Sequence, residues 1–141
     1  MALSADTPRM YDTSVDPVFM DLVVTASKTI YEGSAVSDDG GAGTIDCVTG
    51  TESFAGFAEK GVVASATAGA TLLRVRTRGI VKNLPVTGIT AVTDFGIGVY
   101  ATDDGTFTTT ASGASQIGKV VRFVSTGYAD VYFEGAQIRS I

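Results

Sequence analysis

The sequence lacks several residues on which common catalytic and metal sites depend. It contains no His and no Trp, and Cys47 is its single cysteine. Without His, no Ser-His triad can form, and the commonest general base and metal ligand at neutral pH is missing. A lone Cys excludes an internal disulfide and a thiolate zinc site. We therefore expect no enzyme activity, no catalytic residue, no cofactor and no metal.

Long apolar runs and an excess of basic residues are also missing. No apolar stretch approaches the roughly 20 residues that a membrane-spanning helix needs. The N-terminus has no basic start followed by an apolar run, which is the pattern of a signal peptide. The formal net charge is −5, whereas domains that bind nucleic acid are usually basic. We expect a protein made and used inside a cell, without a membrane or nucleic acid as partner.

The abundant residues favour β-strands. Gly accounts for 17 of the 141 residues, and the frequent Val and Thr suit a pleated sheet better than a helix. Turn residues between such runs predict two hairpins, one joining Val99–Thr102 to Thr106–Thr109 and one joining Gly118–Ser125 to Tyr128–Glu134. The longest strand is predicted over Thr71–Val81. The chain is therefore predicted to be all-β, a small β-barrel or sandwich of short antiparallel strands.

Residues 1–20 differ from the rest and are predicted to form an extended N-terminal arm on a single β-domain over residues 21–141. Two prolines in this segment disfavour a helix. One interpretation is a partly ordered leader. The other is an arm laid on a neighbouring molecule and anchored by Tyr11, Phe19 and Met20, since extended arms order on binding and cover much surface.

Three arginines alternate with Val75 and Thr77, namely Arg74, Arg76 and Arg78. Because side chains alternate between the faces of a strand, they are predicted to share one face, with a lysine nearby. This face is either a solvated surface with carboxylate partners on the next strand or an interface with an acidic neighbour, which includes a copy of the same chain. Nucleic acid is a poor partner because so few positive charges on an acidic domain bind it weakly.

Paired aspartates occur in two Asp-Asp-Gly sequences, at residues 38–40 and 103–105. An EF-hand needs ligands at alternate positions and a closing Glu, which neither site has. Turn chemistry is the better interpretation, and residues 37–43 are predicted to form a flexible loop. Cys47 has no basic neighbour in sequence that would stabilise a thiolate, so we expect a core or strand residue.

Six segments follow one another in an order that resembles a known family. They are TIYEGSAV at 29–36, FAGFA at 54–58, LRVRTRGIV at 73–81, GVYATDDGTFT at 98–108, QIGKVV at 116–121 and ADVYFEG at 129–135. Their order and spacing across residues 21–135 resemble the capsid decoration, or cement, proteins of tailed bacteriophages. Each segment alone is ordinary β-hairpin sequence, and the likeness depends on the succession.

The resemblance implies a homotrimer on the outside of an expanded phage head, where major capsid subunits meet. It implies a virion protein made in the host cytoplasm, with the major capsid protein and copies of itself as partners and an N-terminal arm that grips. Stabilisation of the mature shell would then follow from binding alone, because a ligand that binds one state stabilises it.

The interface candidates come from the arm and from the longest predicted strand. They are Tyr11, Phe19, Met20, Arg74, Arg76 and Arg78. Two alternatives remain open. The chain could be a tail, fibre or spike component of a phage, or a carbohydrate-binding β-module in which Tyr100, Tyr128 and Tyr132 stack on sugars.

Overall fold

The computed structural model describes residues 2–39 and 43–139, and within them it is nearly all β. A single turn of 3₁₀ helix lies at Val92–Asp94. The strands are β1 (Met10–Tyr11), β2 (Val18–Val23), β3 (Thr29–Ile30), β4 (Ala35–Asp38), β5 (Ile45–Cys47), β6 (Phe54–Ala58), β7 (Val62–Val63), β8 (Leu72–Pro85), β9 (Gly98–Ala101), β10 (Phe107–Thr108), β11 (Ser115–Ser125) and β12 (Tyr128–Glu134). Ten of them form one antiparallel sheet that curls strongly into a half-barrel, and β3 pairs with β7. The predicted all-β fold is confirmed.

β8 is the central strand because it is paired along both edges. One edge carries β1 and β2. On the other edge, β12 pairs with the second half of β8 and β6 pairs with the first half. The partner changes near Thr77, whose carbonyl oxygen accepts the amide of Gly135 just after β12. The sheet runs β10-β9-β11-β12-β8-β6-β4-β5, with β1 and β2 beside β8.

A bulge at Thr77 divides β8 into two halves. The consecutive residues Val18 and Phe19 of β2 pair with two residues of β8 that flank Thr77, so Thr77 is the extra residue. An extra residue reverses the alternation of side chains between the faces. Val75 and Val81 therefore pack into different cores, although both have buried side chains.

The two cores differ in composition. The core that contains Val81 holds four phenylalanine rings in mutual contact, and Phe57 and Phe133 meet edge to face at 4.8 Å between ring centres. The ring of Tyr11 in β1 packs against Phe133 at 6.1 Å. The core that contains Val75 is aliphatic. Edge-to-face rings fix mutual orientation as well as burying area, so the first core holds β6, β8 and β12 in register.

The predicted hairpins are confirmed. β9 pairs with β10, and β11 pairs with β12 across a tight turn that contains Gly127 at φ +84°. β12 has the predicted bounds. β8 is the longest strand, as predicted, but it extends to Pro85 because β12 continues to pair with it. Turn residues are local signals, whereas the end of a strand depends on its partner.

Two stretches of the N-terminal segment belong to the sheet, namely β1 and the first residues of β2. The predicted boundary between residues 20 and 21 lies inside β2, which pairs with β8 from Val18 onward. β1 pairs with Val81 and Lys82 of the same chain. That this segment lies on a neighbouring molecule stays a prediction.

Part of the predicted loop over residues 37–43 falls at residues 40–42, which lie outside the described residues. In the described part of the chain, no helix has the length and apolar character to cross a membrane.

Candidate interaction surface

The three arginines of β8 do not share a face, and its bulge is the reason. Arg76 lies directly opposite Phe57, on the face where Phe57 contacts Phe133. Arg78 lies opposite Glu134, the residue after Phe133 in β12 and therefore on the other face of the sheet. The prediction of one common face is wrong, because regular alternation cannot anticipate an inserted residue.

Arg74 and Arg76 form an arginine clamp with Tyr11, Phe19 and Glu59. The guanidinium carbon of Arg76 lies 3.9 Å from the ring centre of Tyr11 and 4.8 Å from that of Phe19. Its Nε donates to Oε1 of Glu59 at 3.1 Å. The guanidinium of Arg74 lies 4.5 Å from the ring centre of Phe19. Cation–π contacts of this kind are attractive, so the clamp holds both N-terminal strands against β8.

The surroundings of Tyr11 determine the protonation state of its hydroxyl. Burial raises the pKa of Tyr11 and the Glu59 carboxylate adds to the increase, whereas Arg76 opposes it. The phenol is therefore neutral at physiological pH.

Met20, the third predicted anchor, does not join the clamp. It lies opposite Val75, on the face of the aliphatic core.

The sequence predicts Tyr11 and Phe19 as anchors on a neighbouring molecule, but it does not predict that they contact the arginines, which lie more than fifty positions away. No pattern around residues 74–78 shows that aromatic side chains from β1 and β2 will cover them. The arginine that does face outward, Arg78, donates from Nε to the hydroxyl of Tyr132 at 3.1 Å.

Arg78 belongs to a larger group of positive charges on the outer surface of β8, β12 and β11. Lys119 lies directly opposite Tyr132, and Arg122 lies opposite Asp130. The group is called the basic face. It consists of Arg78 and Lys82 in β8, Lys119 and Arg122 in β11, and Arg139, which follows β12 and lines a cleft together with Lys119. It holds half of the ten Lys and Arg residues of a chain whose net charge is −5.

The charges of the basic face are only partly neutralised. Arg122 forms an ion pair with the buried Asp130, whose hydrogen bond raises the pKa of Arg122, and it lies 4.0 Å from Asp12. By contrast, Lys82, Lys119 and Arg139 have no carboxylate within 4.0 Å among residues 2–39 and 43–139. Hydrogen bonds from Ser14 lower the pKa of Asp12, and the charges of Lys82 and Arg122 add to the decrease, so Lys82 is partly neutralised by that carboxylate. Lys119 and Arg139 are the cations most available to an anionic partner.

The second Asp-Asp-Gly sequence is structural, and one of its aspartates does more than form a turn. Oδ1 of Asp103 accepts the amide of Gly105 at 2.9 Å, as turn chemistry predicts. Asp104 is buried, and its carboxylate accepts the amide of Leu3 at 2.9 Å and the hydroxyl of Ser34 at 3.1 Å. It therefore ties the start of the chain to the domain.

The first Asp-Asp-Gly sequence and Cys47 also have structural surroundings. Asp38 accepts the amide of Gly43 at 3.0 Å, and Asp39 accepts the hydroxyl of Thr25 at 2.8 Å, whereas Gly40 lies outside the described residues. Burial, with a contribution from Asp104, raises the pKa of Cys47 to about 12. A thiol of that pKa is protonated at neutral pH and is a poor nucleophile.

Arg9 is a further structural residue that no sequence pattern distinguished. Its Nε donates to the carbonyl of Gly33 at 3.0 Å, and its guanidinium lies 5.5 Å from the ring centre of Phe107 and 5.9 Å from that of Phe57. Burial lowers the pKa of Arg9. Its Nη2 is buried without a hydrogen-bond partner in the described structure. Arg9 thus packs the N-terminal segment onto the aromatic core.

The described residues form a charged surface without a metal-binding cluster. No group of three His, Cys, Asp or Glu side chains in this part of the chain is placed to hold a metal ion. Compared with known proteins, the chain matches no family model and no curated protein.

Proposed function

We propose that this protein is a non-catalytic structural protein that binds the outside of a mature tailed-phage capsid and stabilises it by bridging major capsid subunits. The observation that carries the proposal is the basic face, where Lys82, Lys119 and Arg139 of an acidic chain have no carboxylate within 4.0 Å in the described part of the chain. The succession of segments that resembles phage cement proteins supplies the identity of the partner.

The basic face suits this role for an electrostatic reason. Positive charges that are not neutralised within the chain attract an acidic surface and orient it as it approaches. The face lies on strands that are paired on both sides, so little conformational entropy is lost when they bind. Many weak contacts repeated over a shell add up through multivalency, which suits stabilisation by binding alone.

Self-association belongs to the same proposal. A cluster of copies, such as the homotrimer that the family resemblance implies, would present several basic faces at a point where capsid subunits meet. Each further contact then forms at a high effective concentration.

The test uses mature heads from a phage mutant that lacks this gene. Saturating purified protein is expected to bind the heads and to raise the temperature at which they release DNA. Lys82→Glu is expected to weaken binding by about tenfold because it reverses an exposed charge of the basic face. Lys60→Glu, an equal reversal at another exposed lysine, is the matched control and is expected to bind within about twofold of wild type.

Two results would contradict the proposal. One is an unchanged disruption temperature with saturating wild-type protein. The other is equal binding by the Lys82 and Lys60 variants at low and at high salt, because contacts between exposed charges weaken as salt is added.

A further inference from the structure

A bulge in β11 turns the side chain of Lys119 toward the outer surface. Gln116 pairs with Tyr100 of β9, but Gly118 pairs with the adjoining Val99, so one extra residue is inserted between them. Ile117 points into the aromatic core, and Gln116 is exposed. The extra residue brings the exposed Lys119 back to the outer surface, where it lies opposite Tyr132 in β12. Without the bulge, alternation would place Lys119 inward.

The outward turn places Lys119 at the rim of a cleft of about 390 Å³. The cleft is formed by β11, β12 and the segment that follows β12, and it is lined by Gln116, Ile117, Gly118, Lys119, Tyr132, Glu134 and Arg139. Its volume lies in the range of small ligand sites. It therefore has room for an acidic side chain together with the residues that flank it.

Arg139 supplies the second cation of the cleft and is held in place. Its Nη2 donates to the carbonyl of Glu134 at 2.7 Å and to that of Gln116 at 3.1 Å. A guanidinium has five N–H donors, so others remain for a ligand. A guanidinium fixed by backbone carbonyls is preorganised and loses little freedom on binding.

Glu134, the carboxylate of the cleft, is engaged by a neighbour. The hydroxyl of Tyr132 accepts from Nε of Arg78 at 3.1 Å. Burial raises the pKa of Tyr132, and the Glu134 side chain adds to the increase, so Glu134 acts on this hydroxyl. Lys119 and Arg139 remain as cations with no carboxylate within 4.0 Å in the described part of the chain.

We propose that this cleft binds a carboxylate side chain of the partner protein, with Lys119 and Arg139 as the groups that hold it and Tyr132 as one wall. The inference rests on the proposed function for the identity of the partner, but not for the chemistry of the site. A monovalent carboxylate fits better than phosphate because the nearby Glu134 repels a second negative charge.

The direct test is titration of the isolated protein with a hexaglutamate peptide, followed by NMR of the side chains of Lys119 and Arg139. The peptide is expected to shift both signals, and inorganic phosphate at the same concentration is expected to shift them much less. Lys119→Gln is expected to weaken peptide binding about tenfold, since it removes a charged hydrogen-bond donor. Lys60→Gln is the matched control.

Lys119 is exposed, so its variant is expected to fold normally, and equal thermal unfolding temperatures would verify this. Arg139→Lys keeps the positive charge but loses the planar set of N–H donors. Its affinity for the peptide is expected to lie between those of wild type and Lys119→Gln. In the head-binding assay, Lys119→Gln is expected to lose about tenfold in affinity if the same cleft is used on the capsid.

The outcomes separate the two proposals. If the peptide shifts neither signal, or if phosphate competes as well as the peptide, the carboxylate site is wrong. If wild type binds heads and Lys119→Gln binds them equally well, the cleft is not the capsid contact, and this inference fails while the proposed function stands. If the peptide binds at the cleft but wild type does not bind heads, the cleft stands and the proposed function fails.

Discussion

Gly118 shows how one residue determines the chemistry of the surface. It forms part of the bulge that turns Lys119 outward, and a Cβ at this position would overlap the backbone carbonyl of Tyr132 on the next strand. Its backbone φ is not in the left-handed region, so the requirement for glycine is one of space. Gly127 is the opposite case, with φ +84° and nothing within 4 Å of an added Cβ.

The two glycines give a paired prediction. Gly118→Ala is expected to lower the free energy of unfolding by at least about 2 kcal/mol, because β11 and β12 must separate to admit the methyl group. Gly127→Ala is expected to cost about 1 kcal/mol, the strain of an alanine in the left-handed region. Urea unfolding of both variants measures the difference, and a Gly118 variant as stable as the Gly127 variant would contradict the close approach of the two strands.

At the scale of elements, β8 organises the molecule because each of its halves serves a different core. The bulge at Thr77 turns Val75 toward the aliphatic core and Val81 toward the aromatic one. Thr77 is buried, and its hydroxyl donates to the carbonyl of Val18 at 3.0 Å, which ties the bulge to β2. The arginine clamp then fastens β1 and β2 to the first half of β8.

The clamp predicts unequal effects of two conservative substitutions. Arg76→Lys is expected to lower the free energy of unfolding by about 1–2 kcal/mol, because an ammonium group replaces neither the stacking on two rings nor the directed bond to Glu59. Arg74 is exposed, and its guanidinium contacts one ring. Arg74→Lys is therefore expected to lower the free energy of unfolding by less than about 0.5 kcal/mol.

Hydrogen exchange gives a local measurement of the clamp. The amide of Asp12 donates to the carbonyl of Ile80 at 2.9 Å and reports whether β1 is docked. Its exchange is expected to accelerate in Arg76→Lys and to stay near the wild-type rate in Arg74→Lys. Unchanged exchange in the Arg76 variant would mean that the clamp does not hold β1.

At the scale of the whole molecule, the N-terminal segment is part of the folded domain. Tyr11 packs on Phe133, Arg9 lies over two core rings, and Asp104 binds the amide of Leu3. Positive charge is concentrated on the surface formed by β8, β12 and β11. The molecule therefore presents a basic outer surface, while its N-terminal strands cover one edge of the central strand.

Truncation tests the place of the N-terminal segment. Deletion of residues 2–20 is expected to destabilise the domain by about 3 kcal/mol or more, since it removes the packed rings of Tyr11 and Phe19 and leaves most of one edge of β8 unpaired. Deletion of residues 2–5, which keeps Arg9 and both strands, is the control and is expected to have a smaller effect. Thermal unfolding measures both. A stable domain without residues 2–20 would support a detachable arm instead.

The sequence alone determined the fold class, the two hairpins and the absence of His-based chemistry. These conclusions hold because they rest on local properties: branched side chains favour strands, and glycine permits the left-handed turn at Gly127.

Only the tertiary structure decided which side chains share a surface. The bulges at Thr77 in β8 and at Ile117 in β11 each insert one residue between paired strands, and a single inserted residue reverses every side chain that follows. Arg76 was thereby separated from Arg78, and Lys119 was turned outward. Strand pairing across more than fifty residues placed Tyr11 and Phe19 on the arginine clamp. Such pairings depend on which edges remain free after the sheet forms, and no local sequence pattern encodes that.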